Sequence, residues 1–325
     1  MKVIKNLAKF GVVTLLSFFF GSFALHAQSD RDVTAAQVDQ WMEELSNWGR
    51  WGDDDELGTL NLITADKRIS ATRLVQSGVS VSLAHNYTVD HSLGDPPPFD
   101  SEVTTIEAPV HAAMERVTFS YHGLLHSHLD SLCHVLKDGQ MYNGYGADTI
   151  TENGCERLDI AGVKEGILTR GVLLDIARVN GVDYLAPGTP IYVEDLEAAE
   201  REAGIQVEPG DVLFIRTGRW AVPAGTGPGS SGIHASVVPW LRSRGIAILG
   251  GDYANEVSPS LVEGNLLPVH ELTIVALGMR LFDNLDLEAV AEEAERQNRW
   301  EFLLTASPIP VDGGAGSPMN PIATF

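Results

Sequence analysis

Short β-branched runs alternate with amphipathic stretches along the chain, the pattern of a mixed α/β domain rather than of a helical bundle or a β-sandwich. Val79-Ser80-Val81-Ser82-Leu83 alternates apolar with polar, as an edge or half-buried strand does. Gly171-Val172-Leu173-Leu174-Asp175-Ile176, Val212-Leu213-Phe214-Ile215 and Ile246-Ala247-Ile248-Leu249 are largely continuous apolar runs. Such runs predict strands buried on both faces. Amphipathic periodicity predicts helices over 65–76, 194–203, 234–244 and 287–297. Gly204 and Gly245 stand where two of them should stop, and Asp286 is an N-cap candidate for the last. Gly94-Asp95-Pro96-Pro97-Pro98 reads as a stiff loop, and the glycine and serine content of 225–232 as a mobile one. The tail from 307 onward, rich in Gly and Pro, is expected to be irregular but packed on the body through its Pro, Ile, Met and Phe residues. No repeat and no heptad pattern interrupts this reading.

The first 27 residues differ in kind. Lys2, Lys5 and Lys9 precede an uncharged apolar run over 10–25 that ends in small residues near Ala24 and Ala27, and polar Gln28-Ser29-Asp30 follows. The run is shorter than a spanning helix prefers, so 1–27 reads as a secretory signal peptide and 28–325 as a single exported domain, expected in the periplasm. Charge narrows the partners: the formal net charge is −22, and removal of the three leader lysines takes it to −25. Such a field repels nucleic acid and anionic membrane surfaces, so neither is an expected partner of the processed chain. Cys133 and Cys155 are the two cysteines. They could pair after export, but the place of Cys133 among histidines argues for leaving them separate.

Residues 121–134, Tyr121-His122-Gly123-Leu124-Leu125-His126-Ser127-His128-Leu129-Asp130-Ser131-Leu132-Cys133-His134, hold four of the ten histidines. On an extended strand the even-numbered His122, His126, His128, Asp130 and His134 would share one face, with Leu125, Leu129 and Cys133 on the other. Imidazole and carboxylate suit a divalent metal in a site that keeps a position open for water, and water acidified there is a nucleophile. The same geometry argues against a Cys133 and His134 couple, because neighbours on a strand face opposite ways.

The stretch His128-x-Asp130-x-x-x-His134 resembles the His-x-Gly-Thr-His-x-Asp-x-Pro-x-His signature of the cyclase superfamily, which includes bacterial kynurenine formamidase and isatin hydrolase. Further boxes fall in the order of its longer members. They are Trp51-Gly52-Asp53-Asp54-Asp55-Glu56-Leu57-Gly58-Thr59-Leu60-Asn61, Gly171-Val172-Leu173-Leu174-Asp175, the run from Gly210-Asp211 to Arg216-Thr217-Gly218, Gly250-Gly251-Asp252, Pro268-Val269-His270 and Asp283-Asn284-Leu285. The resemblance spans 48–325 and implies a mixed sheet with flanking helices, of the swivelling β/β/α type. Two departures stand out. Leu124 replaces one ligand histidine of the signature, which makes His126 the substitute ligand and leaves His122 as a neighbour of the ligands. The family's downstream histidine and glutamate fall on His270 and Asp283, an aspartate one methylene shorter.

The resemblance thus implies one or two divalent ions, zinc or manganese, held by His126, His128, Asp130, His270 and Asp283, with His134 as the catalytic proton carrier. Asp252 and Arg216 are weaker candidates near substrate. It also implies hydrolysis of a carbon–nitrogen bond in an aryl formamide or cyclic amide by a homo-oligomer. A lactonase or cyclase acting on a ring ester, and an exported metal-binding protein without catalysis, are the alternatives.

Overall fold

The continuous apolar runs become the centre of a sheet. The structure, a computed structural model, describes residues 31–93 and 97–325, so the predicted leader at 1–27 lies outside the described residues, as do 94–96 of the proline loop. Val33–Phe325 forms one compact unit. Its principal strands, in chain order, are β1 (Ser80–Ser82), β2 (Phe99–Ile106), β3 (Ala112–Phe119), β4 (His128–Asp130), β5 (Ile167–Asp175), β6 (Val212–Arg216), β7 (Ile248–Gly251), β8 (Arg280–Asp283), β9 (Glu301–Ala306), β10 (Gly316–Pro318) and β11 (Ile322–Thr324). Nine of these make a mixed sheet in the order β1-β11-β9-β5-β6-β7-β8-β4-β10. The four central strands β5 to β8 run parallel, and antiparallel strands extend the sheet on both sides.

Alternate residues of the central strands enter two separate cores. Val172, Leu174, Leu213, Ile215, Leu249 and Leu281 join one, whereas Leu173, Val212, Phe214, Ile248 and Phe282 join the other. Both faces are covered, which is why these strands read as unbroken apolar runs rather than as alternating ones. The helices α1 (Ala35–Glu44), α2 (Ala65–Thr72), α3 (Val193–Ala203), α4 (Val238–Arg244), α5 (Pro268–His270) and α6 (Glu288–Gln297) flank the sheet, and α5 continues as a π-helix over Glu271–Leu277. Gly204 and Gly245 do close α3 and α4 in the left-handed conformation. The predicted helix over 234–244 begins later than expected. Pro239 lies in its first turn, where its missing N–H costs nothing, and the preceding turn is 3-10. Asp286 accepts from the Glu288 backbone N–H at 3.1 Å at the start of α6. Among the described residues no helix is long and apolar enough to cross a membrane.

Two expectations are corrected. The tail is not wholly irregular, because β10 pairs with β4 and β11 lies between β1 and β9. Cys133 and Cys155 are joined in a disulfide. The chain turns directly after β4, and Cys133 points into the core beside Leu132, Met141 and Leu158, away from His134. Cys155 reaches it there from a short ladder at Gly154–Cys155.

Candidate metal centre

β4 lies between β8 and β10, with Asp283 opposite His128 and Gly316 opposite Asp130. The two-residue repeat of a strand puts His128 and Asp130 on one face, while Leu129 enters the core beneath. Ser131 leaves the sheet with its N–H donating to the Ala315 carbonyl, and the His134 N–H donates to Ser131 O at 3.3 Å. That turn returns the His134 ring toward Asp130. Upstream, residues 122–126 form bends rather than a strand. The bend is tied down where Asn284 Nδ2 donates to Gly123 O at 2.7 Å, and the His122 ring stacks on His134 with centroids 4.1 Å apart and planes 2° from parallel.

Asp130 is fully buried, and three imidazoles face its Oδ1: His128 Nε2 at 3.4 Å, His122 Nε2 at 3.5 Å and His134 Nε2 at 4.0 Å. Two groups of ligand atoms result, each spanning less than 4.8 Å: His122, Asp130 and His134, and His128, Asp130 and Asp283. Asp130 belongs to both. His270 joins from α5, its Nε2 3.6 Å from Asp283 Oδ2. Both Asp130 carboxylate oxygens and His122 Nε2 are buried without a hydrogen-bond partner among the described residues. A buried carboxylate left so is costly unless a cation completes it. The donor spacing also agrees: bonds of about 2.0–2.1 Å meeting tetrahedrally place ligand atoms roughly 3.3 Å apart. The residues therefore fit a divalent ion. The floor of the centre is closed, with the His128 side chain 3% exposed, while His122 and His134 are 30% and 31% exposed and form its open side.

Protonation follows from this crowding. Burial opposes ionisation of Asp130, yet the neighbouring imidazoles of His122, His128 and His134 hold its carboxyl well below the usual range. Burial also opposes the imidazolium of His128, but Asp130 and Asp283 outweigh it and raise its pKa to about 9. Burial dominates at His134, with repulsion from neighbouring histidines adding to it, and lowers its pKa despite Asp130. His270 is raised, since Asp283 and Glu256 overcome its burial.

The predicted residues do not all meet. His126 lies outside both ligand groups. The bend at 122–126 breaks the strand alternation that put it beside His128, and its ring packs against Tyr87 at 5.3 Å and Phe99 at 6.4 Å. His122, expected only as a neighbour of the ligands, stands instead in the group with Asp130 and His134. Arg216 is occupied elsewhere: it donates to Asp175 Oδ1 at 2.9 Å and through two nitrogens to Glu288. Asp252 accepts from the backbone N–H groups of Thr217, Gly218 and Arg219 and from the Thr217 hydroxyl, so it anchors a turn. Sequence reasoning missed Glu256, which accepts from His270 Nδ1, and Asn255, whose Nδ2 donates to Asp283 Oδ1 at 2.5 Å. Their position just beyond the carboxyl end of a buried parallel strand was the available signal.

The Cyclase family model matches residues 79–255, more than half of the chain. The chain belongs to the cyclase family. Within this cyclase-family chain the matched stretch includes β4 and its ligands, and His270 and Asp283 lie beyond it. A crystal structure described as that of a novel cyclase is 32% identical, covers 87% of this chain and 99% of its own, and superposes with a TM-score of 0.79. Isatin hydrolase A from Labrenzia aggregata, bound to benzyl benzoate, is 19% identical over 79% of this chain and 97% of its own, with a TM-score of 0.51. An isatin hydrolase bound to the product analogue thioisatinate is 15% identical over 80% and 98%, also at 0.51. At that identity the last two share the cyclase fold with this chain. No curated protein matches it.

Proposed function

We propose that the protein is an exported hydrolase that uses one or two divalent ions, zinc or manganese, to cleave a carbon–nitrogen bond in a cyclic amide or aryl formamide. The observation that carries this reading is Asp130, a fully buried carboxylate with both oxygens unpartnered and facing three histidines. Asp130 with His122 would hold one ion, and Asp130 with His128, Asp283 and His270 a second. A bound ion supplies electrophilic polarisation of the carbonyl and lowers the pKa of water beside it. In the hydrolysis, water adds to the amide carbon, the carbon–nitrogen bond breaks, and the nitrogen leaves with a proton. His134 is placed to move that proton, since its imidazole lies on the open side and burial favours its neutral form. Glu256 and Asn255 orient His270 and Asp283. The disulfide supports export, because such bonds persist outside the cytosol. A closed homo-oligomer is part of the same proposal, read out by light scattering.

Metal quantification on the purified chain, followed by a panel of formamides, cyclic amides and lactones, tests the reading. Chelation should abolish hydrolysis, zinc or manganese should restore it, and His134→Ala should lower kcat about 10²- to 10⁴-fold. Undiminished activity after chelation and in His134→Ala would overturn it, and turnover confined to lactones would replace the amide with a ring ester.

A further inference from the structure

Arginine is outnumbered in this chain, which carries 44 Asp and Glu against 22 Lys and Arg. Arg216 shows the usual result, a guanidinium held between two carboxylates. Arg219 differs. Among the described residues no carboxylate lies within ion-pair distance of it, and its guanidinium rests instead against the rings of Trp220 at 5.4 Å and Tyr253 at 5.1 Å. The turn that carries it is fixed from below by Asp252, which accepts from the Arg219 backbone N–H at 3.1 Å. Gly218 makes that turn possible, since it has φ +76° and a Cβ there would meet Asp183 O at 2.2 Å.

Arg219 lines a cavity of about 220 Å³ enclosed by the glycine-rich stretch 225–231. A second, independent feature faces the same space. Ser230, also in its lining, is 2% exposed, and its Oγ has no hydrogen-bond partner among the described residues. Its backbone is satisfied, donating to and accepting from Ser258. A buried hydroxyl without a partner and an unpaired guanidinium lining the same cavity are two donors available to one acceptor. Leu185, Pro187 and Val222 supply apolar walls.

We propose that this cavity binds a small organic carboxylate, at a site separate from the metal centre. The carboxylate receives the Arg219 fork and the Ser230 hydroxyl, and its apolar body packs on Leu185, Pro187 and Val222. Pockets for drug-sized ligands run from about 300 Å³ upward, so the occupant is no larger than about one ring. Asp252 is a positioning residue here, acting through the turn that presents Arg219.

Sodium benzoate is the probe, titrated calorimetrically and by tryptophan fluorescence into the full chain, metal-loaded and chelated. The expected result is saturable binding that survives chelation and weakens about tenfold or more in Arg219→Gln, with a smaller loss in Ser230→Ala and partial retention in Arg219→Lys. Circular dichroism confirms that each variant is folded, and Ser230→Ala keeps the test intact should Arg219→Gln not fold. Binding that disappears on chelation and ignores Arg219→Gln assigns the benzoate to the metal and overturns the proposal. Absence of saturation by about 10 mM, or inorganic phosphate binding as tightly as benzoate, overturns it as well.

Discussion

Glu256 controls which nitrogen of His270 faces the metal centre. It accepts from Nδ1, leaving Nε2 toward Asp283, and its other oxygen accepts from the Val269 N–H at 3.2 Å. Glu256→Gln keeps the shape and removes the charge, so metal affinity should fall about 10- to 100-fold with the fold intact, as a competitive chelator titration measures. Asp252 offers a test of burial. Desolvation raises its pKa to about 6 against the hydrogen bonds from Thr217, Arg219 and Gly218. The folded state then holds a proton that the unfolded chain has released, so this group's contribution falls as pH rises from about 4 through about 6, by roughly 3 kcal/mol. Denaturant titrations should show that slope in the wild type and its absence in Asp252→Asn. At this scale spacing was enough to place His128 and Asp130 on one face of a strand, whereas His134 joins them through the turn after Asp130 rather than along the extended strand expected there. The exchange of roles between His122 and His126 was not legible, because it depends on a bend held by Asn284, far away in sequence.

The turn after β4 is pinned from two sides. The Cys133–Cys155 bond closes a segment 22 residues apart, while Ser131 holds the turn to the tail through Ala315. Cys155→Ser should cost about 3 kcal/mol of stability, measured as a lowered denaturation midpoint, with a steeper slope as the unfolded chain is released. The central strands were readable because burial on both faces leaves no polar position in the run. The hairpin of β2 and β3 was not, since most of its residues are exposed and carry no periodic face. The box at 51–61 was recognised without a role, which the structure provides. Asp55 accepts from the Tyr142 hydroxyl at 2.9 Å, the buried Arg280 donates to Leu57 O at 2.9 Å, and Gly58 approaches Gly278 so closely that a Cβ would lie 2.0 Å from its carbonyl oxygen. Such contacts join segments distant along the chain, and no local pattern announces them.

Taken whole, the molecule is a buried two-sided sheet inside a strongly negative surface. With a net charge of −22, like charges repel across the folded body more than in an expanded chain. Salt shortens the reach of that repulsion to about 8 Å at 0.15 M. The melting temperature should therefore rise with sodium chloride from low ionic strength, and a flat response would show that the charges are already locally paired. The tail's expected packing on the body was correct, but its strands escaped notice, being three residues each and short of any repeat. Their position matters most. Tyr121 donates to Gly316 O at 2.8 Å across 195 residues of sequence, and β10 completes the edge of the strand that bears His128 and Asp130. A chain growing on the ribosome therefore makes its ligand histidines early and the segment that seats them late. On the proposed function, ion capture would be one of the last events in the molecule's history, and were the chain exported the ion would come from the compartment of arrival rather than from the cytosol where translation began.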